Sequence, residues 1–134
     1  MTQHEMLHCQ LITPEACLLD TPAGCVILPA YDGEVGVLPD RAPLLCGLGI
    51  GEMRVTTAGE TKRYYIDGGF AHVLQNEVVI LTQRASAVNE IDLAQAEREL
   101  AQLQDRTVVG LDEVEEHALA MKRVRTKIKL AGTH

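Results

Sequence analysis

Apolar and polar positions change period once along this chain, near Ala85. Before that point, short apolar runs alternate with turn signals, which is the grammar of an all-β domain. LHCQLIT ends at Pro14, and Ala16 to Leu19 gives way to Asp20, Thr21 and Pro22. CVILPAY runs to Asp32-Gly33. Leu44 to Ile50 precedes EMRVTT, where Met53, Val55 and Thr57 share one side of a strand. Ala58-Gly59 is read as a turn into TKRYYI, and Asp67-Gly68-Gly69 as a further turn into FAHVL. Gln75-Asn76 separates FAHVL from VVILT, a two-residue hairpin in which Asn takes positive φ. All five prolines fall by Pro43, and glycine becomes scarce after Gly69. Eight or more short strands in this stretch predict a sandwich or barrel.

After Ala85 the spacing becomes helical. Leu93, Ala96, Leu100 and Leu103 recur every three or four residues and mark one face of a helix, with Asn89 expected as its N-cap. Thr107, Val108, Val109 and Gly110 interrupt it. A second helix is expected near Asp112, where Asp112 and Glu115 resemble a capping box and Val114, Ala118, Met121, Val124 and Ile128 form the apolar face. Its acids (Asp112, Glu113, Glu115, Glu116) crowd the first turns, and its bases (Lys122, Arg123, Arg125, Lys127, Lys129) the last, both matching the helix dipole. Two helices with so narrow an apolar stripe are marginal alone and must lean on another surface. The expected fold is an N-terminal antiparallel β-sandwich, residues 1–87, followed by a C-terminal antiparallel two-helix hairpin, residues 88–134.

Composition narrows the function by exclusion. The 134 residues suit one domain with a small appendage. A net charge of −7 argues against nucleic acid, which is bound mainly through basic groups. No basic leader and no long apolar block opens the chain, so neither a signal peptide nor a membrane span is expected. Cys9, Cys17, Cys25 and Cys46 form no C-x-x-C pair and read as buried thiols. His4, His8, His72, His117 and His134 lack ligand spacing and are given no metal role. The glycines of Gly47-Leu48-Gly49-Ile50-Gly51 resemble a phosphate loop, but a strand follows them where a dinucleotide site needs a helix N-terminus. They read as a bent or closely packed strand. No catalytic set is recognisable, and the residues point to a non-enzymatic interaction protein.

One stretch breaks the β grammar. In GEVGVLPDRAPLL, Pro39 and Pro43 bracket Asp40 and Arg41 between two apolar runs. Proline fixes φ, so this connection is stiff. Together with GLGIGEMRV, YYIDGGFAHVLQNEVVILTQRA and EIDLAQAERELAQL, in this order, it resembles the epsilon subunit of bacterial F-type ATP synthases, called delta in mitochondria. The resemblance runs from about Leu7 into the second helix.

It implies the two-part fold derived above and a non-catalytic place in the central rotor stalk of a proton-translocating enzyme. The implied partners are the gamma subunit, the c-subunit ring and, through an extended hairpin that restrains ATP hydrolysis, the alpha/beta catalytic head. The implied location is the cytoplasmic face of the bacterial inner membrane, peripheral and not inserted. The ring-facing positions carried over are Glu34, Pro39, Asp40, Arg41 and Pro43, with Arg41 where relatives usually carry His. Lys122, Arg123, Arg125 and Lys127 are the implied contacts of the hairpin with the head. Some relatives hold a regulatory ATP through I/L-D-x-x-R-A. Here the matching residues for a weak nucleotide site are Asp92, Gln95 and, nearby, Arg98; Gln95 replaces the arginine and removes the charged fork for phosphate, so regulatory ATP is the disfavoured alternative and no cofactor is expected. The alternative is a free-standing β-sandwich ligand-binding module, which needs a concave polar pocket and is disfavoured by 3% aromatic content.

Overall fold

A computed structural model describes residues 6–132. The chain divides into two compact units between Ala87 and Val88. The first holds β1 (Leu7–Ile12), β2 (Cys17–Ala23), β3 (Cys25–Ala30), β4 (Gly33–Val37), β5 (Leu44–Thr57), β6 (Glu60–Leu74), β7 (Glu77–Leu81) and β8 (Ala85–Ala87). These form one hydrogen-bonded sheet in the order β2-β1-β7-β6-β5-β3-β4, with β8 added on β6. Every pairing is antiparallel except that of β1 with β7.

The sheet becomes a sandwich because β5 and β6 are long. They pair from Leu44↔Val73 to Thr57↔Glu60 in one register. The first half of β5 and the last half of β6 lie with β7, β1 and β2, while the other halves lie with β3, β4 and β8. Strand alternation then sends one side chain in two toward the shared interior. Leu7, Cys9, Leu11, Val78, Ile80, Ala71 and Val73 come from one layer, and Val26, Leu28, Val37, Met53, Val55, Tyr64 and Ile66 from the other.

Several expectations change at this level. Asp67-Gly68-Gly69 is not a chain reversal, since β6 runs straight through it. The two glycines, at φ +71° and +104°, make a corner where β6 passes from one layer to the other. A Cβ on Gly69 would stand 2.0 Å from the Leu81 carbonyl oxygen. Thr82, almost fully buried, closes the corner with its Oγ1 3.2 Å from the carbonyl oxygens of both Asp67 and Arg84. Leu44 to Ile50 and EMRVTT are likewise one strand, bent at its glycines. Gly47 and Gly51 admit close neighbours, for a Cβ there would lie 2.7 Å from the Tyr31 ring and 2.8 Å from Pro29. Gln75 and Asn76 both take positive φ (50° and 65°), as a tight hairpin between twisted strands requires.

The cysteines are all free, but they are not all buried. Cys9 is in the core, and burial pushes its thiol up to about 12. Cys25 and Cys46 are half-buried and Cys17 is exposed. Cys17 opens β2 just past a register shift between Leu11 and Ile12, which turns it out of the layer. His4 and His134 lie outside the described residues.

The second unit begins with a turn of 3-10 helix, Val88–Glu90, followed by α1 (Leu93–Asp105) and α2 (Leu111–Ala131), which pack on each other. Asn89 lies in the 3-10 turn, and the N-cap of α1 is Asp92, whose carboxylate accepts from the Gln95 amide at 3.1 Å. The capping box at Asp112 does not form. α2 starts one residue before Asp112, with Gly110 at φ +91° as its N-cap, so Asp112 already lies inside the helix. Glu113 accepts instead from the Val109 amide at 3.3 Å. The apolar stripe is narrower than its spacing suggests, because Val124 is buried while Val114 and Leu93 are exposed.

Candidate functional site

The connection from β4 to β5, residues 38–43, carries four of the five ring-facing candidates. Pro39 and Asp40 form a turn, with Asp40 at φ +67°. The Asp40 amide donates to Asn76 Oδ1 at 2.6 Å, and Asn76 Nδ2 donates back to Asp40 Oδ1 at 3.3 Å. Arg41 has no hydrogen-bond or ion-pair partner among the described residues. It lies near the Cys46 thiol, which burial pushes up, Arg41 draws down and Asp32 raises further. Asp32, Arg41 and the start of β5 therefore share one end of the sandwich.

Glu34 is separate from this connection. It sits on β4 opposite Pro29. The Arg54 guanidinium grips its two oxygens at 3.1 and 3.2 Å, also donates to Glu52 at 2.8 Å, and Glu52 in turn pairs with Arg63. A bidentate fork of this kind is the strongest surface ion-pair geometry, and it raises the Arg54 pKa, first through Glu34 and then through Glu52. The acid carried over from the resemblance is thus part of a four-charge ladder across β4, β5 and β6. Nothing local in the sequence signals the pairing, because Glu34 and Arg54 stand 20 positions apart.

The outward face of the other layer is apolar. Gly47 lies opposite Phe70, and Phe70 opposite Leu81. Phe70 is 60% exposed, Leu45 69%, Leu81 52%, and Tyr31, whose ring lies over Gly47, 82%. Ile12 and Pro14 continue the strip into a shallow depression against Gly69, Phe70 and Leu81. The chain has one Phe and three Tyr, and the single Phe and one Tyr both flank Gly47 on this surface, Phe70 as its strand partner and Tyr31 over it. Exposed aromatics grouped with aliphatics mark interaction surfaces.

His8, on the same layer, bridges two acids. Its Nε2 meets Asp20, and its Nδ1 lies 3.1 Å from Glu77. The Asp20 and Glu77 hydrogen bonds raise the His8 pKa, and His8 chiefly lowers that of Asp20. A raised imidazole stabilises fully below its ordinary 6.5 and loses the effect as pH climbs through its folded value, whereas a lowered carboxylate stabilises fully above its ordinary 3.8 and loses it as pH falls through its folded value. His8→Gln is therefore expected to lower the melting midpoint at about pH 5 and to leave it unchanged at about pH 9. Equal loss at both pH values would show that the contact is not ionic.

On α2 the four basic candidates divide. Lys122 and Arg125 are exposed and line a groove with His117, Met121 and Lys129. Arg123 is half-buried on another side beside Arg106, Glu113 and Glu116, and Lys127 is half-buried too. Spacings of three and four separate these rows on a helix. On α1 the structure does bring Asp92, Gln95 and Arg98 together, but toward each other. Asp92 caps the Gln95 amide, and Arg98 donates to Gln95 Oε1 at 2.8 Å. Among the described residues no cluster of His, Cys, Asp and Glu could hold a metal ion, and no helix is long and apolar enough to cross a membrane.

Residues 6–88 match the family model of the ATP synthase delta/epsilon chain, β-sandwich domain. The ATP synthase epsilon chain of Rhodopirellula baltica is 37% identical over 92% of this chain and 96% of its own. The sodium-ion-specific epsilon chain of Propionigenium modestum is 34% identical over 91% and 90%. The fold matches a chain in the Euglena gracilis mitochondrial ATP synthase OSCP/F1/c-ring assembly, with a TM-score of 0.83 at 23% identity, covering 96% of this chain and 82% of that one. A chain of the Tetrahymena thermophila central stalk and c-ring gives a TM-score of 0.74 at 16% identity, covering 97% and 99%. From its first strand to its second helix, this chain belongs to the ATP synthase delta/epsilon family.

Proposed function

We propose that the chain is the non-catalytic epsilon subunit of the central stalk of an F-type ATP synthase, peripheral to the cytoplasmic face of the inner membrane. The observation that carries this reading is the exposed apolar surface of Tyr31, Leu45, Phe70 and Leu81 on a sandwich with a complete core of its own. A surface of this kind calls for a protein partner, and the gamma subunit is the one we assign to it. The end bearing Pro39, Asp40, Arg41 and Pro43 then meets the c-subunit ring. Arg41, without a partner among the described residues, supplies positive charge there, and Glu34 takes part only through its Arg54 fork. Stiffness suits the task, because a connection that already holds one shape loses little entropy on docking.

The hairpin is the regulatory part in this reading. Lys122 and Arg125, exposed on one row of α2, are its contacts with acidic surfaces of the alpha/beta head, and Arg123 and Lys127 contribute from the adjoining row. Asp92, Gln95 and Arg98 act as a helix start and not as a nucleotide cradle, since Asp92 caps the Gln95 amide and the Gln95 side chain is engaged by Arg98 and Glu99.

The test is affinity capture of the tagged chain from detergent-solubilised membranes, run beside a chain cut after Ala87. Gamma and ring subunits should be captured by both. ATP hydrolysis should rise in the complex that lacks the hairpin. Capture of neither subunit overturns the stalk assignment, and unchanged hydrolysis overturns the regulatory one.

A further inference from the structure

We propose that Asn76, in the turn between β6 and β7, is a positioning residue that holds the 38–43 connection in one conformation and so presents Arg41 to its partner. The proposal rests on the docking reading above for the role of Arg41, but not for the clip itself. Asn76 makes three hydrogen bonds to segments distant in sequence. Its Oδ1 accepts from the Asp40 amide, its Nδ2 donates to the Asp40 carboxylate, and its carbonyl oxygen accepts from the His8 amide at 2.8 Å. One side chain therefore ties the connection to the hairpin, and one carbonyl ties the hairpin to the start of β1.

Asp40 needs that support. Its φ of +67° lies in the left-handed region, which residues with a Cβ occupy reluctantly and Asp or Asn less so. Pro39 and Pro43 limit φ at their own positions but say nothing about φ at Asp40. The reciprocal pair with Asn76 fills that gap, satisfying the Asp40 amide and one carboxylate oxygen together. Arg41 follows directly, with no partner of its own among the described residues to hold it. Its direction is inherited from Asp40.

Three variants of the full chain test this. Asn76→Gly keeps the positive φ of the turn and removes the clip. Arg41→Ala removes the presented charge. The exchange Asp40→Asn with Asn76→Asp restores a donor and an acceptor in reversed places. In the free chain, hydrogen exchange at the Asp40 amide should quicken about tenfold or more in Asn76→Gly, with Val78 and Ile80 unchanged, and the exchange variant should recover protection. In membrane vesicles carrying the assembled complex, ion pumping per ATP hydrolysed should fall to the same level in Asn76→Gly, in Arg41→Ala and in the two combined, because both act through one group. Unchanged Asp40 exchange overturns the clip. Additive losses, or a loss in Arg41→Ala alone, overturn the positioning role. No loss in Arg41→Ala removes the docking reading and the positioning role with it, while the Asp40 exchange rate still decides the clip.

Discussion

Gly69→Ala is expected to destabilise the sandwich by roughly 3 kcal/mol or more, which combines the cost of a side chain at positive φ with that of forced overpacking. The backbone at Gly69 has φ +104°, and the added methyl would lie 2.0 Å from the Leu81 carbonyl oxygen and 2.9 Å from Thr82 Cα. Both neighbours are main chain, and Thr82 is itself held at the corner by its hydroxyl. Relief thus requires β7 to move away from β6. Two controls separate conformation from contact. Gly68, at φ +71° with its nearest contact at 3.8 Å, should lose only about 1 kcal/mol on replacement by Ala. Gly36, with open space around it, should be close to neutral. Urea unfolding of the three variants reads the order directly, and a Gly69→Ala protein as stable as the parent would refute the corner.

Phe70→Asp should weaken stalk association about thirtyfold or more while sparing the fold. Phe70 is 60% exposed and contributes little to the core, so the isolated chain should melt within a few degrees of the parent, as surface changes usually do within about 0.5 kcal/mol. At an interface the same change removes an aromatic anchor and leaves a carboxylate to be desolvated against an apolar partner. That combination costs about 2 kcal/mol or more, about thirtyfold in affinity. Leu81→Asp, directly across the strand pair, should act alike, and Lys62→Asp, on the part of β6 in the other layer, should not. Retained capture of gamma by Phe70→Asp would move the docking surface elsewhere.

The sequence disclosed the elements better than their connections. Alternation in LHCQLI and the doublet Gln75-Asn76 announce a strand and a hairpin because both are local properties, and the structure has both. Asp67-Gly68-Gly69 misleads because its residues are those of a chain reversal. Whether such residues reverse a strand or bend it is decided by β7 and β8, which pair on either side of the corner and are invisible in a local window. Asn89 and Asp92 are both good N-caps, and only the 3-10 turn at 88–90 decides between them. The candidate surfaces follow the same division. Pro39 and Pro43 identify a stiff connection, but the Asn76 clip and the Arg54 fork join residues 36 and 20 positions apart, and no motif encodes either. Tyr31 escaped notice because an exposed aromatic acquires meaning only from what lies beside it.

β5 and β6 belong to both layers at once. A shaft component assembled from two separate sheets would carry load through interdigitated side chains, which slip. Here the strain path follows covalent backbone, braced by a ladder that keeps one register from Leu44 to Thr57 and skips only Gly49 and Gly68 at the corner. A load on one layer therefore reaches the other along the backbone of β5 and β6 themselves.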